Sequence, residues 1–258
     1  FPFQGTLVET ELLKARSYAR VAQRLCACTA MDSRSLLDPA ADVCADAAME
    51  IFKGNIGATS RMVSEAMVGG LRLEGKLAEA QERFGSVEPW EALYKLRKEV
   101  YLEEFATEAN VVASAYDHNL SVLRAAVDAG LPVGVATSSS TPDAERVLGF
   151  LGVRPLLASV LGADRVTAPK PHPEPYLESA AALGVPPPNI LVLEDSMNGV
   201  AAAVAAGVGV VAVANPFTEA ALREQSLLDQ KWVVYDVAHL PGVVTARCAE
   251  MPRRSAEG

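Results

Sequence analysis

Three short segments of this 258-residue chain carry side chains able to handle a phosphoryl group. Val135 and Ala136 run into Thr137-Ser138-Ser139-Ser140. Hydroxyls and backbone N–H groups leading into a helix N-terminus hold an anion through hydrogen bonds and the helix dipole. The same residue types also serve simply as a helix cap. The second segment is Lys170 between Pro169 and Pro171, followed by His172, Pro173, Glu174 and Pro175. Flanking prolines restrict the backbone, so the ammonium is presented as a placed point charge able to neutralise phosphate. The alternative is an ordinary lysine in a proline-stiffened loop, and His172 reads as a loop residue. In the third segment, Glu194 and Asp195 follow the apolar run Ile190, Leu191, Val192 and Leu193. Two adjacent carboxylates at the end of such a run are costly unless compensated, and a hard, oxygen-seeking cation such as magnesium compensates them. Capping of the next helix by Asp195 or Ser196 is the plainer alternative, but it leaves the second acid without a purpose.

The elements that position these residues repeat a strand, turn, helix texture. Apolar strands are expected at 131–136, 190–193 and 208–214, with an edge strand at 232–235. Helices are expected at 119–129, from Thr141-Pro142-Asp143 to about Gly152, at 176–183 and at 197–206, with Gly130 as a left-handed cap and Gly184 as a stop. Continuous apolar strands alternating with helices predict a parallel sheet covered on both faces. In such sheets ligands bind beyond the carboxyl ends of the strands, where all three segments fall. Residues 11–111 have a different texture. Leu93, Leu96, Val100 and Tyr101 form a 3.6-residue stripe, and scattered glycines divide the tract into short helices. The expectation is α/β, with an all-helical block inserted after the first strand and no internal repeat. The segment 245–258 reads as a disordered tail.

Composition narrows the function. The chain is 50% hydrophobic and carries a formal net charge of −9, which argues against general nucleic-acid binding. No apolar run reaches the ~18 residues of a membrane span, and Phe1 is preceded by no charged region of a signal peptide. Cys26, Cys28, Cys44 and Cys248 follow no disulfide or zinc spacing. A soluble protein of a reduced, intracellular compartment, cytoplasm or organellar matrix, is expected.

Taken together and in order, the hydroxyl turn, the proline-flanked lysine and the acidic pair resemble motifs of the haloacid dehalogenase-like (HAD) hydrolase superfamily. The resemblance is to its β-phosphoglucomutase and phosphoglycolate-phosphatase-like branch, which has an α-helical cap. Val133 to Ser139 resembles the second motif, Lys170 to Tyr176 the third, Leu191 to Ala203 the fourth, and Gly5 to Glu11 the tail of the first. The resemblance implies a Rossmann-like parallel core at 1–11 and 112–258 and a helical cap at 12–111. It implies magnesium-dependent phosphohydrolase or phosphomutase chemistry on a small phosphorylated metabolite. Lys170 and Thr137 would be the remaining catalytic residues, and with Ser138 and Ser139 they would hold the phosphate of the metabolite or inorganic phosphate. Glu194, Asp195 and the backbone carbonyl of Gln4 would hold the metal. The four motif residues should converge near residues 2 and 4 in the cleft beneath the cap, with Arg61, Lys76 and Glu9 as candidates to line it.

The first motif departs from the family pattern, which is Asp-x-Asp-Gly-Thr. This chain has Pro2-Phe3-Gln4-Gly5-Thr6 in the same frame. Proline supplies no nucleophile, and an amide cannot deliver a proton as a carboxylic acid does. With both aspartates the site would set four acids against Lys170. This chain keeps two, so the formal sum rises from −3 to −1. Magnesium is expected to bind more weakly with fewer carboxylates, while a phosphate dianion meets less repulsion. Two functions follow as alternatives: an impaired enzyme, or a non-catalytic phosphate-binding or assembly subunit with a protein partner.

Overall fold

The computed structural model describes residues 6–27, 39–55 and 60–252. It divides into two compact units, Phe1–Thr10 with Val111–Gly258, and Glu11–Asn110.

The second unit is helical: α1 (Thr10–Ala27), α2 (Pro39–Lys53), α3 (Ser60–Leu71), α4 (Ala78–Phe84) and α5 (Pro89–Val100), which runs into a π-helical turn at Tyr101–Phe105. Gly85 stops α4 with φ of 60°, a left-handed cap whose N–H returns to Gln81 O and Glu82 O. Pro89 at the first turn then starts α5. The core of this unit takes Tyr18, Val21 and Ala22 from α1, Phe52 from α2, Met67 from α3, and Leu93 and Val100 from α5. Full burial of a Val, Leu, Phe or Met side chain contributes roughly 1.5–3 kcal/mol by leaving water. Cys26 and Cys44, on α1 and α2, are joined by a disulfide with Cα atoms 6.7 Å apart. This corrects the expectation of no disulfide. The pairing arises from helix packing across 18 residues of sequence, which no local spacing rule reports. The cysteines therefore give no ground for inferring a reducing compartment.

The first unit continues with α6 (Glu108–Ala113), α7 (Asp117–Asp128), β1 (Gly134–Ala136), α8 (Thr141–Phe150), β2 (Ser159–Leu161), α9 (Glu174–Leu183), β3 (Leu191–Glu194), α10 (Met197–Ala205), β4 (Gly209–Val213), α11 (Glu219–Glu224), β5 (Val233–Val234) and α12 (Leu240–Glu250). The ladders between these strands are parallel, and an isolated antiparallel bridge joins Val8 to Ala115. β1 pairs with β2, with Ala136 opposite Leu161. β4 lies between β3 and β5, with Glu194 opposite Ala212 and Val213 opposite Val234. The fold is thus α/β, with parallel sheets and an inserted helical block.

The strands at 131–136, 190–193 and 208–213 were expected in one sheet; among the described residues they lie in the parallel ladders β1-β2 and β3-β4-β5, and the start of the expected first strand falls outside the described residues. Two expectations need correction. The segment 131–136 is strand only over its last three residues. Leu131 still returns its N–H to Ala126 O at the end of α7, and Pro132 has no N–H to give a ladder. Residues 245–250 belong to α12 rather than to a disordered tail. Leu240 is fully buried in that helix, and Val243 and Val244 pack with it against Val213 and Val234, which pins the helix to the sheet. Residues 253–258 and the first-motif positions 1–5 lie outside the described residues. No helix among the described residues is long and apolar enough to cross a membrane.

Candidate functional site

The hydroxyl turn leaves the carboxyl end of β1. Thr137 is 4% exposed, its N–H extends the ladder to Leu161 O at 2.9 Å, and its Oγ1 accepts the N–H of Ser139 at 3.1 Å. Ser138 is exposed at the tip. The cap of α8 is Ser140, whose hydroxyl accepts from the Asp143 N–H. The Thr141 N–H goes to Asp164 Oδ1 at 2.5 Å, and Pro142 has none. The first donors of α8 are therefore used by the chain itself. What the turn presents is the hydroxyls of Thr137, Ser138 and Ser139, not a free helix N-terminus.

Lys170 sits in a loop closed by Glu174, whose carboxylate accepts the N–H groups of Thr167 at 2.6 Å and Ala168 at 2.9 Å. Those backbone bonds hold the Glu174 carboxyl below its ordinary range. The Lys170–Pro171 peptide is cis. The loop turns the lysine inward, and its side chain is 6% exposed. Lys170 Nζ donates to Ala136 O at 3.1 Å, to Tyr176 Oη at 2.8 Å and to Glu194 Oε1 at 2.8 Å. Tyr176 donates in turn to Glu194 Oε1 at 2.6 Å. The second Glu194 oxygen accepts from the N–H groups of Asp195 and Ser196 and from Ser196 Oγ. Burial alone raises the Glu194 carboxyl, but the Lys170 charge and hydrogen bond, with those of Tyr176 and the Ser196 N–H, outweigh it and hold it below the ordinary value. Burial, then the Glu194 charge, push the Tyr176 phenol well above its usual range, so it stays a neutral donor.

Asp195 is also buried, at 6% exposure, and its two oxygens have different partners. Oδ1 accepts from Thr6 Oγ1 at 2.7 Å and Oδ2 from Asn215 Nδ2 at 3.2 Å. Asn119 Nδ2 donates to Thr6 O at 2.6 Å, which fixes the start of the chain's described part beside β3.

Hydrogen bonds thus bring Lys170, Glu194 and the end of β1 next to Thr137 together, with Asp195 adjacent. Ser138 and Ser139 lie on the same turn. Pro2 and Gln4 fall outside the described residues. The expected pair of metal-ligating acids separates into two roles. A carboxylate has about four lone-pair positions, and Glu194 already accepts five hydrogen bonds. The compensation ascribed to a cation comes, for Glu194, from Lys170, Tyr176 and the backbone. Asp195 accepts two side-chain donors and is the acid with the donor chemistry for magnesium. Among the described residues no group of three His, Cys, Asp or Glu side chains gathers to hold a metal. The fit is the minimal one, a single carboxylate that would share the ion with ligand oxygens.

Sequence reasoning gave no role to Tyr176, Thr6, Asn119 or Asn215. Asn215 carried the same signal as the others, a polar residue just beyond the apolar strand β4 and followed by Pro216.

Parallel ladders, a helical insertion after the first residues and polar groups gathered at strand ends define an α/β protein of the capped Rossmann-like type. A model of the haloacid dehalogenase-like hydrolase family matches residues 3–207, and the chain belongs to that family. The match begins just after Pro2. A phosphoglycolate phosphatase of Salmonella typhimurium is 34% identical over 136 residues, 53% of this chain and 52% of that protein. The chain spans about half the length of the curated relatives it matches. A β-phosphoglucomutase of Clostridium difficile superposes with a TM-score of 0.62 at 18% identity, covering 97% of this chain and 96% of that one. CbbY of Rhodobacter sphaeroides, solved in complex with phosphate, gives 0.60 at 22% identity, covering 93% and 94%. At these identities the solved structures establish the shared fold.

Proposed function

We propose that this chain binds a small phosphorylated metabolite, or inorganic phosphate, on a phosphohydrolase or phosphomutase scaffold whose own turnover is impaired. The observation that carries this is the buried cluster of Lys170, Glu194 and Asp195 at the ends of β1 and β3, beside a turn of three hydroxyl side chains, in a chain whose nucleophile position is Pro2. The hydroxyls of Thr137, Ser138 and Ser139 donate to phosphoryl oxygens. Lys170 contributes a positive charge from a water-poor position, where electrostatic interactions are strong. Asp195 would hold a magnesium ion, which supplies neutralisation of the phosphoryl charge. None of these groups attacks phosphorus, and Gln4 offers no carboxylic acid to protonate a leaving group. Loss of a covalent nucleophile removes roughly six orders of magnitude in kcat in a well-characterised protease, with only binding and electrostatics left.

The test is turnover of phosphoglycolate and generic phosphomonoesters with magnesium. The unmodified chain should stay at background, and the double variant Pro2→Asp, Gln4→Asp should gain magnesium-dependent turnover. Both changes are needed because nucleophile and acid act as a unit. Robust turnover by the unmodified chain, lost in Asp195→Asn, would show that another group serves as nucleophile.

A further inference from the structure

Tyr176 occupies a position that its place in the lysine motif does not explain. Lys170 has three N–H donors, and all three end on this chain, at Ala136 O, Tyr176 Oη and Glu194 Oε1. The single proton of Tyr176 goes to the same Glu194 oxygen at 2.6 Å. The hydroxyl is therefore acceptor for the ammonium and donor to the carboxylate at once, and it closes a ring of three hydrogen bonds. The ring face adds a contact of its own, with Nζ 4.6 Å from the tyrosine centroid. Tyr176 is 3% exposed, so water does not replace a missing partner readily. Glu174, two residues before it, ties down Thr167 and Ala168, so the lysine loop and the start of α9 form one piece.

The three donors of Lys170 are not equivalent. The bond to Ala136 O is the longest, at 3.1 Å, and its acceptor is neutral. The bond to Glu194 is charge-assisted on both sides. An anion arriving at the Thr137 turn, next in sequence to Ala136, most easily takes over the Lys170 N–H that points at Ala136 O, while Tyr176 and Glu194 keep the other two.

We propose that the Tyr176 hydroxyl is a positioning group, which holds Lys170 against Glu194 so that one N–H remains exchangeable toward an anion at the Thr137–Ser139 turn. The anion part of this rests on the function proposed above; the holding of Lys170 does not.

Tyr176→Phe keeps the ring and removes only the hydroxyl. Amine-reactive labelling of the unliganded full chain, read at each lysine by mass spectrometry, should show Lys170 reacting at least about threefold faster in the variant, with Lys76 and Lys231 unchanged. A general loosening of structure would raise all three together. Calorimetric titration with inorganic phosphate and magnesium should show binding about tenfold weaker in Tyr176→Phe, as expected for loss of a hydrogen bond to a charged group. In a Lys170→Met background the same change should have no further effect on phosphate. If phosphate does not bind the unmodified chain but Lys170 labelling rises selectively, the positioning role stands and the phosphate function fails. Unchanged Lys170 labelling in Tyr176→Phe overturns the positioning role, whatever phosphate does.

Discussion

Glu194 shows how the chemistry of a residue depends on its partners rather than on its position in a motif. Its carboxylate is 1% exposed and fully hydrogen-bonded, with the Lys170 charge opposite. Removing one member of such a pair leaves the other charged and buried, which costs about 3–5 kcal/mol. Lys170→Met should therefore lower stability by that amount in chemical denaturation, and adding Glu194→Met should recover part of it. Gly199 is a second sensitive point, because a Cβ there would overlap the Glu194 carboxylate. Gly199→Ala should destabilise by about 1–3 kcal/mol, the range of overpacking, although alanine favours helix over glycine elsewhere. Thr137, Lys170, Glu194 and Asp195 were legible in the sequence because each is a polar residue placed just after an apolar run or between prolines. What the sequence hid was pairing. It marked two buried acids in need of compensation, but not that a lysine 24 residues away and a tyrosine 18 residues away supply it for one of them.

At the scale of elements, long periodic signals held and short or long-range ones did not. The helices α8, α9 and α10 start and stop near their caps; Gly130 is left-handed as expected, and so are Gly152 and Gly184 after α8 and α9. β2 was expected only as a strand region without bounds ahead of Ala168, because it is three half-buried residues with no alternation to read. Yet it steadies the hydroxyl turn. Thr141 Oγ1 accepts from Gly162 N–H at 3.2 Å, Ala163 N–H donates to Ser139 O at 2.8 Å, and Asp164 accepts from both the N–H and the hydroxyl of Thr141. A Cβ at Gly162 would overlap the Thr141 nitrogen, so Gly162→Ala should shift this turn and weaken phosphate binding more than it lowers the melting temperature. α12 was misread although Leu240, Val243, Val244 and Arg247 have the spacing of one helical face, since its polar end resembled a tail. The Cys26–Cys44 bond could not be read locally at all. It closes a loop of 18 residues, for which a gain of about 3 kcal/mol is expected if the unfolded chain is the main thing constrained. Cys44→Ser should lower the melting temperature of the oxidised protein and leave little difference under reducing conditions.

For the whole molecule, the helical tract and the parallel ladders match the change of texture near residue 111. Among the described residues the ends of β1 and β3 meet through Lys170 rather than through backbone pairing. Global stability should consequently carry the acid signature of this cluster. The folded Glu194 carboxyl lies below its ordinary value, so its contribution is complete above the unfolded value of about 4.3 and is lost as pH falls through the lower, folded one. Denaturation midpoints should be flat in this respect near neutrality and fall on the acid side of that value, with a shallower fall in Glu194→Gln. The central claim is that phosphate binding persists where the covalent chemistry has been lost. Isothermal titration of the unmodified chain with inorganic phosphate, with and without magnesium, tests it most directly. One-to-one binding strengthened by magnesium, weakened in Thr137→Ala and stripped of its magnesium dependence in Asp195→Asn, is the predicted result. Absence of phosphate binding with magnesium present, in a chain shown to be folded, would contradict it.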